Sequence, residues 1–510
     1  IVQSLVGSEM CIRDRNTYIH IITCLIIFVS CSKDASENIS DEMSIIDQER
    51  ELKLEINDFI WEGLNYWYYW QENVPDLSDN KTNNAEAYEA FLDKNEPADF
   101  FSSLKHPDDR FSWIQDDYEE LENLLQGIEL SNGMEFGLFV ECNNTDVFGY
   151  VKYVQKNSDA ETKGVERGMY FNTIDGTKMN RDNYRDLLYG EGTSYSIGTA
   201  TLDYDNTDNC ATLYADNNSF NLVKTVLVQS PIYINKTINL NNSKIGYLMY
   251  NQFVGVVESE GNDYNQELNN VFLEFKNDNI DELVIDLRYN PGGSTYTQSI
   301  LASLITGQFP NEIYSKRVFN SKVTEQFRDN QENFISRFKS QLDGGVSLNS
   351  LQMQRVYILT SSSTASSSEG LINNLNPYID VVHIGDYTVG KNSGSITVKD
   401  YINDDGDINP NHRYAMQPIV TKTANSVGFA DFDDGLEPDF YLLESISNLG
   451  TLGDNNEKLL KKALDHISGE IYSIGMSPGL DREVSREIKT DQEKKKQIMD
   501  IDDLPFIFKE

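Results

Sequence analysis

The chain has 510 residues, too many for one ordinary hydrophobic core, so roughly two to four domains are expected. Its apolar fraction of 39 %, with 11 % aromatic, is enough to build packed cores and excludes a disordered chain. The 42 basic residues against 82 acidic ones give a net charge of −40, which argues against nucleic-acid binding because that needs a basic footprint. The same balance argues against electrostatic attraction to anionic lipid. It reads as a solubilising acidic surface, with recruitment of basic substrates as the alternative.

The chain opens on an export signal, residues 1–31. Tyr18 to Ser30 form an apolar run preceded by Arg13 and Arg15. The run is shorter than the ~20 apolar residues a membrane span needs and suits a signal-peptide core. Residues 1–15 lack an initiator Met and read as a cloning or sequencing scar. Phe28-Val29-Ser30-Cys31 resembles a bacterial lipobox, which implies cleavage before Cys31, its lipidation, and a cell-envelope location in the periplasm or at the cell surface. A plain secretory signal is the alternative. Cys142 and Cys210 remain as an even pair in an oxidising compartment, open to a disulfide or to two buried thiols. The five histidines are scattered, and no Cys/His spacing suggests a metal.

Residues 32–46 are polar and acidic and read as a tether. Over 47–125 the pattern is helical: Ile56, Phe59, Ile60, Leu64 and Trp67 recur at three- and four-residue steps, on one face, and Pro75 with the Asp/Asn-rich stretch after it closes that helix. The aromatic run Tyr66 to Trp70 reads as packing, with a binding platform as the alternative. Residues 126–240 become alternating and β-rich. Their order, from Gly133-Met134-Glu135-Phe136-Gly137-Leu138 to Thr173-Ile174-Asp175-Gly176, resembles a PDZ domain of the bacterial protease type. Met169 and the Asp175-Gly176 turn depart from that pattern. The resemblance implies that backbone N–H groups of a Phe136-Gly137-Leu138 loop capture a terminal carboxylate while the peptide adds as a strand. A β-domain that holds no peptide is the alternative.

From Ser243 strands and helices alternate, the pattern of a parallel α/β unit. Strands are expected at Ile245–Tyr250, Leu283–Leu287, Val356–Thr360 and Val381–Ile384. Helices are expected at Tyr264–Asn277, Thr297–Ile305 and Ser367–Leu375, with an amphipathic closing helix over 455–466. The unit is bounded at 243–446; residues 447–510 are that helix and a charged, less patterned tail.

Three segments of this unit carry chemistry. The first strand–turn junction, Asp286-Leu287-Arg288-Tyr289-Asn290-Pro291-Gly292-Gly293, delivers bare backbone N–H groups into a tight turn, as half of an oxyanion hole requires. The second, Ser361 to Gly370, places hydroxyls at a helix N-terminus, where orphan N–H groups stabilise an oxyanion. Capping alone also favours serine there. The third places Lys391 in Gly390-Lys391-Asn392-Ser393-Gly394-Ser395, after a buried strand.

In this order the segments resemble the tail-specific, or C-terminal processing, protease family S41. The resemblance implies a multidomain α/β protein: an N-terminal helical region, a PDZ-like domain, and a β/α catalytic core of the ClpP/crotonase-like type. It implies a serine endopeptidase that cuts proteins or peptides near their C-termini through an acyl-enzyme, without a metal or organic cofactor. Ser366 falls at the nucleophile, three residues before Glu369, and Lys391 at the general base. Gly293 and the N–H of Ser367 fall at the oxyanion hole. Ser395 stands where many members carry Gln, so Ser395 or Ser393 is left to orient the lysine; Glu369 reads as structural more than catalytic. Within the serine run, Ser363 and Ser368 are the alternative nucleophiles. A lysine base must lose several pKa units by burial, with no carboxylate near. The rival function is a non-catalytic lipoprotein holding peptide or ligand on the same fold. A different serine hydrolase would carry a Gly-x-Ser-x-Gly elbow, and Ser366 has none.

Overall fold

The structure is a computed structural model that describes residues 34–205, 210–403, 405–470 and 487–502. The export signal and Cys31 lie outside the described residues. The chain divides into residues 1–51 and residues 52–510. In the first unit the described residues are helical, as the start of the helix Asp34–Trp67, so most of the expected tether is helix.

Ile56, Phe59, Ile60 and Leu64 of that helix are buried with Phe100, Phe101 and Leu104, as the three-to-four spacing requires. The helix stops at Trp67 and not near Pro75, which instead opens a short 3-10 turn, Pro75–Leu77. The reason is tertiary. Tyr68 leaves the helical path to bury completely, its hydroxyl donating to Asp109 at 2.7 Å, and the Tyr69 N–H reaches the Ile419 carbonyl at 2.8 Å. The aromatic run is therefore packing.

The β-rich region is an antiparallel sheet of Met134–Val140, Val147–Val154, Tyr170–Ile174, Ser194–Asp205 and Cys210–Val223, in that order. Phe136, Gly137 and Leu138 are not in a loop: all three lie within Met134–Val140, paired with Tyr150, Gly149 and their neighbours. The strand is buried on both faces over Gly137–Val140, Leu138 packing into one core and Phe139 into another. The free edge of that strand pairs with Glu487–Ile488, a late segment for which the sequence offers no strand signal. Cys142 is disulfide-bonded, and its N–H meets the carbonyl of Ala211, next to Cys210.

The α/β unit holds six strands in the order Ile232–Leu240, Ser243–Tyr250, Glu282–Asp286, Arg355–Thr360, Asp380–Gly385 and Phe440–Tyr441. All neighbours are parallel except the first pair, a hairpin. Helices Tyr264–Asp278, Thr295–Ile305 and Ser367–Leu375 cover one face through Phe272, Ile300 and Leu371 against Ile285 and Ile358. Lys458–Ile467 covers the other through Leu459, Leu460 and Ala463 against Val284 and Tyr357. Burial on both faces explains why these strands read as continuous apolar runs. A second sheet runs Gly293–Ser294, Met499–Asp500, Ser393–Ser395, Ile419–Asn425, Ile313–Phe319 and Ile335–Arg337.

Candidate active site

Three neighbouring parallel strands end on the same side, and each delivers one of the three sequence segments. In open parallel sheets the carboxyl ends of strands are where ligands bind. Glu282–Asp286 leads into Asn290-Pro291-Gly292-Gly293, Arg355–Thr360 into the serine run, and Asp380–Gly385 into Lys391.

The turn is shaped by Asn290. Its amide donates to the Tyr250 carbonyl and its Oδ1 accepts from the Gly292 N–H, both at 2.9 Å. Gly292 and Gly293 have φ of 115° and 129°, a region that side chains oppose. Space forbids a side chain as well: a Cβ on Gly293 would stand 2.2 Å from the Phe253 carbonyl oxygen. Behind the turn, Arg288 is fully buried among Asp286, Glu444 and Glu457 at 2.7 to 2.9 Å. Arg167 of the β-rich region shares Glu444 at 2.6 Å.

In the serine run the hydroxyls divide by partner. Ser361 donates to the Arg288 carbonyl, Ser367 to the Gly293 carbonyl and Ser368 to the Asn290 carbonyl. Ser366 Oγ is buried without a hydrogen-bond partner. Ser366 precedes the helix Ser367–Leu375 at φ 63°, ψ −115°, a conformation that costs a non-glycine residue about 1–3 kcal/mol. That strain is held by the surroundings. The Ser366 N–H donates to Glu369 Oε2 at 2.6 Å, and Gln298 Nε2 donates to the Ser367 carbonyl at 2.8 Å.

Glu369 joins the serine to the lysine. Its carboxylate is fully buried and accepts from Ser366 N–H, Thr388 Oγ1, Gly390 N–H and Lys391 N–H at 2.6 to 2.9 Å. Burial pushes its pKa up, and these four donors oppose the rise. Arg110, whose guanidinium donates to the Gly390 carbonyl at 2.7 Å, pins the same loop from the N-terminal region, a contact that no local sequence pattern marks.

Lys391 is 1 % exposed. Burial lowers its pKa from 10.5 to about 7. The expectation of no carboxylate nearby needs correction: Asp109, Glu369 and Asp500 all pull upward. Desolvation outweighs them because a buried ammonium loses its hydration on every side. Lys391 Nζ donates to the Gln497 carbonyl at 2.6 Å. Ser393 and Ser395 are buried beside it in sequence, and Ser395 Oγ also lacks a partner.

The remaining neighbours come from residues 496–502, which the sequence does not mark. The Gly293 N–H donates to the Ile498 carbonyl at 2.5 Å, and the Ile501 N–H to the Ser395 carbonyl at 3.0 Å. Among the described residues no group of His, Cys, Asp and Glu is arranged to hold a metal ion.

The model of peptidase family S41 matches residues 244–441, and that of the peptidase S41 N-terminal domain matches residues 55–113. Among solved structures, a Bacteroides fragilis protein assigned to the S41 proteases aligns at 23 % identity with a TM-score of 0.62, covering 81 % of this chain and 97 % of its own. A photosystem II D1 C-terminal processing protease aligns at 18 % identity and TM-score 0.45, covering 81 % and 98 %. No curated protein matches the chain.

Proposed function

This chain belongs to peptidase family S41, and on that premise we propose that it is an exported endopeptidase working through Ser366 and Lys391. Ser366 Oγ attacks the scissile carbonyl and passes its proton to neutral Lys391, which hands it to the leaving amine. Water then hydrolyses the ester with Lys391 as base. The N–H groups of Gly293 and Ser367 take the oxyanion, Ser393 or Ser395 orients the amine, and Glu369 holds the frame. Substrates are proteins with unstructured C-terminal stretches that add as a strand to the edge of Met134–Val140, which acts as a PDZ-like site. Lipidation of Cys31 anchors the protein in the cell envelope.

One observation carries the reading: a single carboxylate, Glu369, binds the N–H of a strained serine with a free hydroxyl and the N–H of a buried lysine whose pKa is about 7. Capping a helix needs none of that lysine geometry. The test compares wild type with Ser366→Ala on an unfolded protein, reading fragments by mass spectrometry. Fragments from wild type alone are expected; equal cleavage by both proteins refutes the assignment of the nucleophile.

A further inference from the structure

Residues 487–502 run from the edge of Met134–Val140 to the glycine turn and Lys391. Glu487–Ile488 occupies the edge of Met134–Val140 in antiparallel register, Ile488 facing Leu138. Lys152 and Glu129 then hold Glu493 and Lys496 at 3.1 and 2.8 Å. The Gln497 carbonyl takes the hydrogen bond of Lys391 Nζ, and the Ile498 carbonyl takes that of the Gly293 N–H. Met499–Asp500 lies parallel between Gly293–Ser294 and Ser393–Ser395, filling the slot between the glycine turn and the lysine strand. Ile498, Met499 and Ile501 are each under 5 % exposed. Beyond them the Asp502 carboxylate accepts from Ser294 Oγ, Thr295 Oγ1 and the Tyr296 N–H at the start of helix Thr295–Ile305.

This is how a peptide substrate would lie, with main-chain pairing on both flanks and one carbonyl at the oxyanion-hole glycine. The serine stands beside that carbonyl. A methyl group on Gly292 would be 2.4 Å from the Ile498 carbonyl oxygen and 3.1 Å from Ser366 Oγ, so both oxygens flank the same glycine.

We propose that residues 487–502 are a tethered substrate of the chain's own site, cut by Ser366 between Ile498 and Met499. The inference rests on the Ser366/Lys391 reading. Ser366 Oγ bonds to the Ile498 carbonyl carbon, the bond to the Met499 nitrogen breaks, and the serine proton reaches that nitrogen through Lys391. Water then splits the Ile498 ester to a carboxylate and restores Ser366. A neutral amine can donate to Gln497 O and still accept the serine proton on its lone pair. Until the cut is made, the segment excludes other peptides from the slot. The same contacts define the preferred substrate class: a buried aliphatic residue before the cut, and an acidic side chain four residues after the residue bearing the scissile carbonyl.

Intact mass of the purified chain, followed over time, is the first readout, with digestion of an unfolded protein measured on the same samples. Wild type is expected to acquire a new C-terminus at Ile498, while Ser366→Ala keeps its mass. Asp502→Asn is expected to slow the trimming about tenfold, which a mere neighbour of the site would not do. Wild type that digests the unfolded protein but keeps its own 498–499 bond overturns this inference and leaves the peptidase reading standing. Wild type that cuts neither overturns both.

Discussion

The lysine gives the sharpest quantitative expectation. Lowering its pKa from 10.5 to about 7 corresponds to about 5 kcal/mol against the charged form, at ~1.4 kcal/mol per unit. The donation to Gln497 O returns only about 1–3 kcal/mol, so burial wins. The cost falls on folding stability with a definite sign: between pH 7 and 10.5 the unfolded chain binds more protons, so stability rises with pH there. Below pH 7 the penalty is complete. Lys391→Met removes the buried charge at similar size. In a Ser366→Ala background, which keeps the 498–499 bond intact, Lys391→Met should be more stable at pH 7 by about 2–4 kcal/mol. The gap should close or reverse by pH 10. Urea denaturation of the two proteins at pH 7, 8.5 and 10 measures it directly. A gap that does not change with pH would mean that Lys391 titrates as an ordinary lysine, and its role as base would fall with that result.

Four further outcomes follow from the same geometry. Gly293→Ala should reduce turnover at least a hundredfold, since φ 129° and the Phe253 carbonyl at 2.2 Å leave no room for a Cβ; steady-state kinetics and circular dichroism separate lost activity from lost fold. Glu369→Gln sets an amide donor against four donors that now share a carboxylate, and should cost about 1–3 kcal/mol in thermal unfolding, with activity falling alongside. Arg288→Met leaves Asp286 and Glu457 buried without their cation, Glu444 keeping Arg167, and should cost about 3–5 kcal/mol, read as a large drop in Tm. Burial alone would raise Glu444, but Arg288 and Arg167 hold it down to about 2. Its contribution to stability is therefore present above about pH 4.5 and lost as pH falls toward 2, and acid titration of unfolding in wild type and Glu444→Gln should show that window.

Local patterns made the catalytic unit legible. Ser367–Leu375 and the four buried strands could be placed because apolar runs, a helix start rich in hydroxyls and glycine turns are signals contained in short windows. Gly293, Ser366, Ser367, Glu369 and Lys391 are brought into contact because adjacent parallel strands carry their loops in one direction, whereas Ser393 and Ser395 belong to the second sheet. Contacts set by partners distant in sequence were not legible. The helix ending at Trp67 is decided by Asp109 and Ile419, and the strand identity of Phe136 to Leu138 by Val147–Val154 and Glu487–Ile488. Met499–Asp500 is two residues long, too short for any periodicity, and its pairing partners lie about 100 and 200 positions away. Its signal is only an apolar cluster, Ile498, Met499 and Ile501, after a run of three lysines.

The occupied slot also bears on how the lysine should behave during turnover. With residues 497–502 in place, Asp500 pulls the Lys391 pKa up, while burial, the larger effect, pulls it down. The cut frees residues 499–502, and their departure removes both the Asp500 charge and part of the cover. Since burial is the larger effect, admission of water should dominate, and the amine of the open enzyme should hold its proton to higher pH than in the filled cleft. A bound substrate strand restores the cover. For trimmed enzyme, kcat reports the filled cleft and kcat/KM the open one. The acid limb of kcat should therefore sit near pH 7, and that of kcat/KM should be displaced upward toward the ordinary lysine range. Coincident limbs in trimmed enzyme would show that cover over Lys391 comes from the fixed core alone, and that a strand in the slot contributes nothing to making it a base.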